Sequence, residues 1–431
     1  MNAKSHRPLA HAAHMSSELL NLGHLHVFVR VAQLGSATRA AEALYRAQSA
    51  VTRAILELEH ALDVPLFERH PTGMLPTPTG RAVLERAQRV FGELETLAAW
   101  CAARQPARRL NAPQGVPSSL LNTRRLQLLV ELARHRHMPS AARALGISQP
   151  AVSSAIRILE TGAGFALFDR SARGLQPTPD GETFVLHVRR ALNELRHVPD
   201  DVAALQGTIR GHVAVGALPL GRTLILPAAV ARVANAFPGV RIVTDESAYE
   251  TLAAGLRAGD IDFILGALRE PDPASGLVTE TLMSEPMVVL ARPGHPLAGQ
   301  RKLTLRQMAD VRWVLPRSHS PGRAILDALF EHSRLAPPVP AVETADLAMI
   351  RGLLLQSDMV AALSAHQMQY ECEVGQLAVL DVPMPNTERD IGLTLRALAE
   401  PSPAARKLID AIREVVAQSM PGDAAAQHTA H

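Results

Sequence analysis

Residues 148–160 read Ser148-Gln149-Pro150-Ala151-Val152-Ser153-Ser154-Ala155-Ile156-Arg157-Ile158-Leu159-Glu160. Val152, Ile156 and Leu159 fall at i, i+4 and i+7, which predicts a helix with one apolar face. Ser148 is placed to cap it, and Pro150 sits in the first turn, where a missing N–H costs nothing. The other face carries Gln149, Pro150, Ser153, Ser154 and Arg157, all small or hydrogen-bonding. Gln and Arg there can make paired contacts with base edges in a major groove, while Ser and the helix N-terminus suit phosphates. Upstream, Leu126, Leu129, Val130 and Ala133 mark a first helix, ended by His135-Arg136-His137 and Pro139. A short second helix is expected over residues 140–145, with Gly146 making the turn. Helix, tight turn and capped helix together spell a helix-turn-helix. Downstream, Leu167-Phe168 anchors the chain, and a short hairpin follows with Arg170 and Arg173 near its tip, a wing able to lie along a DNA backbone or reach a minor groove.

The unit occurs twice. Residues 25–80 match residues 126–181 at a constant offset of 101, with 22 of 56 positions identical and no gap. Ala40-Ala41, Gln48, Ala50-Val51, Leu66-Phe67 and Pro76-Thr77-Pro78 all have their counterparts. Two copies are too few for a solenoid, so each is expected to be a module in its own right. The first copy offers Gln48, Ser49, Thr52 and Arg53 on its third helix and Arg69 on its wing. It has Ala47 where Ser148 caps the second, a loss of roughly 0.5–2 kcal/mol, and Tyr45 in place of the turn glycine. The second copy has Gly162 and Gly164 where the first has Ala61 and Asp63, which predicts a looser joint before the wing. On its cap and turn the second copy is expected to be the main reader. The first is either another reader or a duplicate retained for packing.

The chain has 431 residues, 47% hydrophobic and 20% charged, enough for two to four domains with their own cores. Its net charge of +3 hides an asymmetry: residues 1–211 carry 25 basic and 17 acidic groups, residues 212–431 carry 19 and 24. The basic half is the candidate for a polyanionic partner. Cys101 and Cys372 are too few for a disulfide framework, in keeping with a reducing compartment. No run approaches the ~20 apolar residues that cross a bilayer, and residues 1–17 lack the apolar core of a secretion signal. A cytoplasmic protein without membrane contact is expected, with disordered tails at residues 1–20 and 421–431.

Each wing is followed by an amphipathic helix, residues 81–104 and 182–207, and residues 105–119, with Pro106, Pro113, Gly115 and Pro117, form a tether between the modules (21–80 and 120–181). From residue 211 short apolar runs alternate with helical segments, the βαβ texture of an open α/β sheet. The expected fold class is therefore α/β with an all-α-rich N-terminal half: two tandem winged helix-turn-helix modules, then a two-lobed domain over residues 211–420. Lobe I takes residues 211–291 and 387–420, lobe II residues 292–386. Ligands of such sheets sit at strand carboxyl ends. This marks Leu218, Pro219, Arg222, Thr223, Ser247, Tyr249, Leu268, Arg317, Ser318, Ser320 and Thr344 as cleft residues. Their guanidinium and hydroxyl groups, with helix N-termini, favour an anionic small molecule such as a carboxylate or sugar acid.

Both copies resemble the winged helix-turn-helix of LysR-type bacterial transcription regulators. In the second the likeness runs through Ser148-Gln149-Pro150-Ala151-Val152-Ser153, Leu159-Glu160, Leu167-Phe168-Asp169-Arg170 and Pro177-Thr178-Pro179-Asp180-Gly181. The half after residue 211 resembles the effector domain of the same family, related to type 2 periplasmic binding proteins, through Leu256-Arg257-Ala258-Gly259-Asp260-Ile261-Asp262 and Gly294-His295-Pro296-Leu297. Through Ala217-Leu218-Pro219-Leu220 and Trp313-Val314-Leu315-Pro316 it is similar to the branch that regulates galactose-binding-protein and protocatechuate-degradation genes. The resemblance implies a double-stranded DNA operator, a small-molecule effector, a homodimer or homotetramer, and RNA polymerase as a further partner. It also implies that the linker helix dimerises. The second linker helix is accordingly expected to form the seam with another chain, and the first to pack within its own chain. A second helix-turn-helix is an addition to the usual plan.

Gly216-Ala217-Leu218-Pro219-Leu220-Gly221-Arg222-Thr223 is one residue from a phosphate-binding P-loop. Arg222 replaces the lysine, and Pro219 removes an N–H from a loop whose donors do the cradling. The pairs His24/His26 and His135/His137 lack Cys or acidic companions, so no metal and no cofactor is expected. The rival reading, an enzyme or solute-binding protein that uses the α/β cleft, would need a catalytic constellation or a signal peptide, and neither is visible.

Overall fold

The computed structural model describes residues 19–70, 73–105, 115–171, 174–269, 272–318 and 320–419. The chain divides into two compact units, with the boundary between Thr208 and Ile209. In the first unit, α1 (Leu22–Leu34), α2 (Ala37–Ala43) and α3 (Gln48–Leu62) precede a hairpin of β1 (Phe67–His70) and β2 (Gly73–Pro76), then the long α4 (Pro78–Ala103). The plan repeats as α5 (Thr123–His135), α6 (Met138–Ala144), α7 (Gln149–Ala163), β3 (Phe168–Ser171), β4 (Gly174–Pro177) and α8 (Pro179–Leu205).

Local chemistry explains the boundaries, and in three places overturns the sequence expectation. α6 begins at Met138 rather than at residue 140, because Pro139 sits in its first turn instead of closing α5. Ser148 stands at the N-cap of α7, but its hydroxyl accepts no capping hydrogen bond, so it gains nothing over Ala47 at the same place on α3. Gly164 does not loosen the second copy. It ends α7 in the left-handed region at φ 80°, and Asp63 ends α3 in the same way at φ 54°. The turn before each third helix also needs a left-handed residue, Gly146 at φ 62° and Tyr45 at φ 51°. Only the tyrosine is strained there.

One hydrophobic core runs through both modules. Its spine is the antiparallel packing of α4 on α8. Arg86, 1% exposed, donates to Asp201 at 2.7 and 3.0 Å and to Glu194 at 2.8 Å. At the far end Arg104 pairs with Asp180 at 3.0 Å. The face of α8 expected to meet another chain is thus occupied by α4. Sequence periodicity shows that a helix has an apolar stripe, but not which partner buries it.

The second unit holds two five-stranded sheets. The first has the order β6-β5-β7-β14-β8, built from β5 (Gly211–Ala217), β6 (Val240–Asp245), β7 (Phe263–Ala267), β8 (Leu277–Glu285) and β14 (Arg389–Arg396). Around it lie α9 (Pro219–Arg222), α10 (Ile225–Ala236), α11 (Tyr249–Ala258) and α16 (Pro403–Ser419). The second has the order β11-β10-β12-β9-β13, from β9 (Met287–Ala291), β10 (Arg312–Leu315), β11 (Pro340–Glu343), β12 (Met359–Ser364) and β13 (Ala378–Leu380). It carries α12 (Leu305–Ala309), α13 (Pro321–His332), α14 (Leu347–Gln356) and α15 (Gln369–Glu373). β5 pairs in parallel with β6 and β7, as the βαβ texture predicts, while β14 returns antiparallel between β7 and β8. The sequence reading missed β8 and β13. β8 is an edge strand with no fully buried residue, so its sequence lacks an apolar run.

Candidate nucleic-acid interface and effector cleft

Val152, Ile156 and Leu159 are buried, as are Val51, Ile55 and Leu58, so α7 and α3 each keep one face outward. On α7 that face exposes Ser148, Gln149, Pro150, Ser154 and Arg157, with Ser153 half-buried. On α3 it exposes Gln48, Ser49 and Arg53, with Thr52 half-buried and its hydroxyl donating to the Gln48 carbonyl at 3.1 Å. Arg53 is held by Glu57 at 2.7 Å, four residues on. Arg69 lies on β1 and Arg170 on β3, the first strands of the two wings, and Arg173 falls outside the described residues.

Each wing is tied to its third helix by the same device. Glu160 at the end of α7 accepts from Leu167 N at 2.9 Å, and Glu59 accepts from Leu66 N at 2.7 Å. Gly181 and Gly80, in the first turns of α8 and α4, then bring those helices against the Leu167 and Leu66 carbonyls. A Cβ there would lie 2.0 and 2.1 Å from the oxygens. Third helix, wing and linker helix are thereby tied together.

In the second unit the marked residues divide. Leu218 is buried and packs with Leu252, Leu256 and Ile264, so it serves the core, and its N–H donates to the Leu265 carbonyl at 2.9 Å. Pro219 opens α9, Arg222 is half-buried and Thr223 is exposed. Ser247 is exposed in a turn closed on Asp245, and Thr344 is fixed by its N–H to the Leu315 carbonyl at 2.9 Å. Ser320 caps α13, while Arg317 and Ser318 are exposed. Leu268 N donates to the Asp390 carbonyl at 2.9 Å, which brings the end of β7 beside the start of β14.

That last contact assembles a group the sequence reading missed. Arg389 opens β14, and burial together with the nearby positive charge of Arg269 pushes its guanidinium down to about 10. Arg269 lies over the ring of Tyr249, 4.9 Å from its centre. Arg389 Nη1 is 3.2 Å from where a side chain on Gly322 would begin, so the arginine of one lobe reaches the first turn of α13 in the other. Among the described residues neither Arg389 nor Arg269 has a carboxylate within ion-pair distance. Nearby, His366 joins the lobes: its Nε2 faces the Leu220 carbonyl at 2.7 Å and its Nδ1 faces Glu285 at 2.5 Å. Desolvation opposes charge on this ring, but Glu285 and the carbonyl outweigh it and raise the pKa above its ordinary value. No sequence pattern singles out Arg389. Its position acquires meaning only once Ile391 is registered opposite Ala267.

Comparison with known proteins gives a consistent result. Residues 22–81 and 123–182 each match the model described as bacterial regulatory helix-turn-helix protein, lysR family. Residues 206–417 match the model described as LysR substrate binding domain. The chain is 52% identical over 401 residues to the HTH-type transcriptional regulator GalR of Pseudomonas putida, covering 93% of this chain and 98% of that protein. It is 33% identical to the HTH-type transcriptional regulator PcaQ of Agrobacterium fabrum, covering 69% of this chain and 96% of that protein. Among solved structures, a full-length OxyR variant from Pseudomonas aeruginosa shares the fold with TM-score 0.53 and 22% identity, over 68% of this chain and 94% of that one.

Proposed function

Because the chain belongs to the LysR family of bacterial transcription regulators, we propose that it reads duplex DNA through the exposed faces of α3 and α7 and holds an anionic effector between the lobes of its α/β half. Its relatives are regulators rather than enzymes, and the cleft is a sensor of a small molecule.

The observation that carries the effector class is the Arg389–Arg269 pair. Two half-buried cations near one another repel, and the cost is relieved when an anion enters beside them. A carboxylate suits this place, since a guanidinium presents a planar fork of donors, with Tyr249 beside Arg269 and the first turn of α13 beside Arg389. Sugar acids and small carboxylic acids satisfy these needs; a neutral sugar does not. For DNA, Gln149 and Arg157 supply base contacts and Gln48 supplies one on the first copy, each bidentate pair being worth about 1–3 kcal/mol of discrimination.

The test is calorimetric titration of the purified protein with a panel of monocarboxylates, dicarboxylates, sugar acids and the matching neutral sugars. Binding confined to acids, and reduced at least tenfold by Arg389→Ala, is expected. Equal binding of a neutral sugar, or acid binding untouched by Arg389→Ala, refutes the assignment.

A further inference from the structure

Several contacts across the α4–α8 seam come in matched pairs under the repeat offset of 101, although Arg86–Asp201 and Arg104–Asp180 fall opposite residues that cannot form the matching ion pair. Arg86 meets Glu194 at 2.8 Å, and His187, the counterpart of Arg86, meets Glu93, the counterpart of Glu194, also at 2.8 Å. Arg89 to Glu194 at 3.3 Å is answered by Arg190 to Glu93 at 3.9 Å. The buried residues obey the same rule: Val83, Ala87, Val90 and Leu94 of α4 correspond to Phe184, Val188, Ala191 and Leu195 of α8. Away from the seam, Leu22 N donates to the hydroxyl of Thr123, its own counterpart, at 2.9 Å.

When residue i touches j′ and i′ touches j, the interface is isologous and has a two-fold axis. Such interfaces ordinarily join two chains; here one chain supplies both sides. The pseudo-axis crosses the seam midway between positions 86 and 93, at Val90 and Ala191.

We propose that the first unit is an intramolecular reader dimer, in which a single chain presents α3 and α7 in inverted orientation to the two halves of one inverted-repeat DNA site. The inference rests on the DNA reading proposed above and adds its geometry and stoichiometry. It also assigns the first copy a working role, since a two-fold frame places its reading helix as the second copy's is placed. The two halves of the site are expected to be related but unequal. Gln48 and Gln149 correspond, and so do Thr52 and Ser153, whereas Arg53 stands opposite Ser154 and exposed Leu56 opposite Arg157. Joining the readers in one chain makes the second engagement intramolecular, so occupancy of a full site does not require two chains to meet.

The test is selection by the full-length protein from a fully randomised duplex library about four helical turns long, followed by stoichiometric titration of the enriched sequences. The expected result is an imperfect inverted repeat that binds one chain per repeat. Gln48→Ala should relax preference in one half only, and Gln149→Ala and Arg157→Ala in the other half only. Should Gln149→Ala relax both halves while Gln48→Ala is silent, or should the repeat bind two chains, the pseudo-dimer is overturned and the DNA reading survives. If no sequence is enriched at all, the DNA reading itself falls.

Discussion

Replacing Arg86 by leucine removes the polar centre of the seam while keeping its bulk. Arg86 is 1% exposed, Glu194 3% and the Asp201 side chain 12%. The substitution takes the Asp201 contacts at 2.7 and 3.0 Å and removes one arginine from Glu194. Arg89 lies 3.3 Å from Glu194 and is 31% exposed. Breaking a buried ion pair costs about 3–5 kcal/mol, because the charge left behind stays buried. The surviving Arg89 contact and the partial access of water to Asp201 put the expectation near the lower end, about 3 kcal/mol. The loss should shrink in acid. A buried carboxylate without its cation has a folded pKa above its unfolded one, so the variant gains below the unfolded pKa and loses as pH rises through the folded value. Urea unfolding of the full chain can follow this unit alone, since the two tryptophans divide between the units. Trp100 of α4 packs edge-on against Phe165, 5.6 Å between ring centres, and Trp313→Phe silences the other signal. Replacing Arg86, Glu194 and Asp201 together by leucine should recover most of the loss. A loss under about 1 kcal/mol, the range of exposed pairs, would refute the buried seam.

Three further outcomes follow from the geometry. Gly181→Ala and Gly80→Ala should each cost about 1–3 kcal/mol in urea unfolding, since the added carbon meets a backbone carbonyl and the linker helix must move off the wing. Tyr45→Gly should raise stability by about 0.5–1 kcal/mol, because left-handed strain is removed from a residue that is 96% exposed and gives up little packing. The His366 clasp should stabilise the second unit fully below pH 6.5 and fade as pH rises through its raised folded pKa, with the positive charge of Arg389 opposing it. Thermal unfolding of this unit from pH 6 to 9, with His366→Gln as the control that flattens the trend, measures this; a trend unchanged in the control would sink the assignment.

The reading helices, their wings and the repeat were legible in the sequence because each depends on local chemistry. Apolar spacing sets the buried face, Gly146 the turn, and Leu167-Phe168 the anchor. The alternating strands and helices of the second half were legible for the same reason, except β8, which has no continuous apolar run, β13, whose apolar run is only a few residues long, and the short helices α9, α12 and α15, which span too few residues to show a period. The capping advantage credited to Ser148 was not real, since a residue type favoured at a cap does not fix its side-chain rotamer. Of the cleft, the sequence marked loops at strand ends, but several of their side chains serve turns or core, and Arg389 went unmarked.

By itself, then, the sequence determined the modules, their order, and which face of each third helix stays exposed, all properties of chain neighbours within a few turns. The tertiary structure alone decided that α8 packs on α4 of its own chain, and that Arg389 and Arg269, 120 positions apart, come near one another. Both depend on which distant surface buries which face, and an apolar stripe or a lone arginine carries no record of its partner.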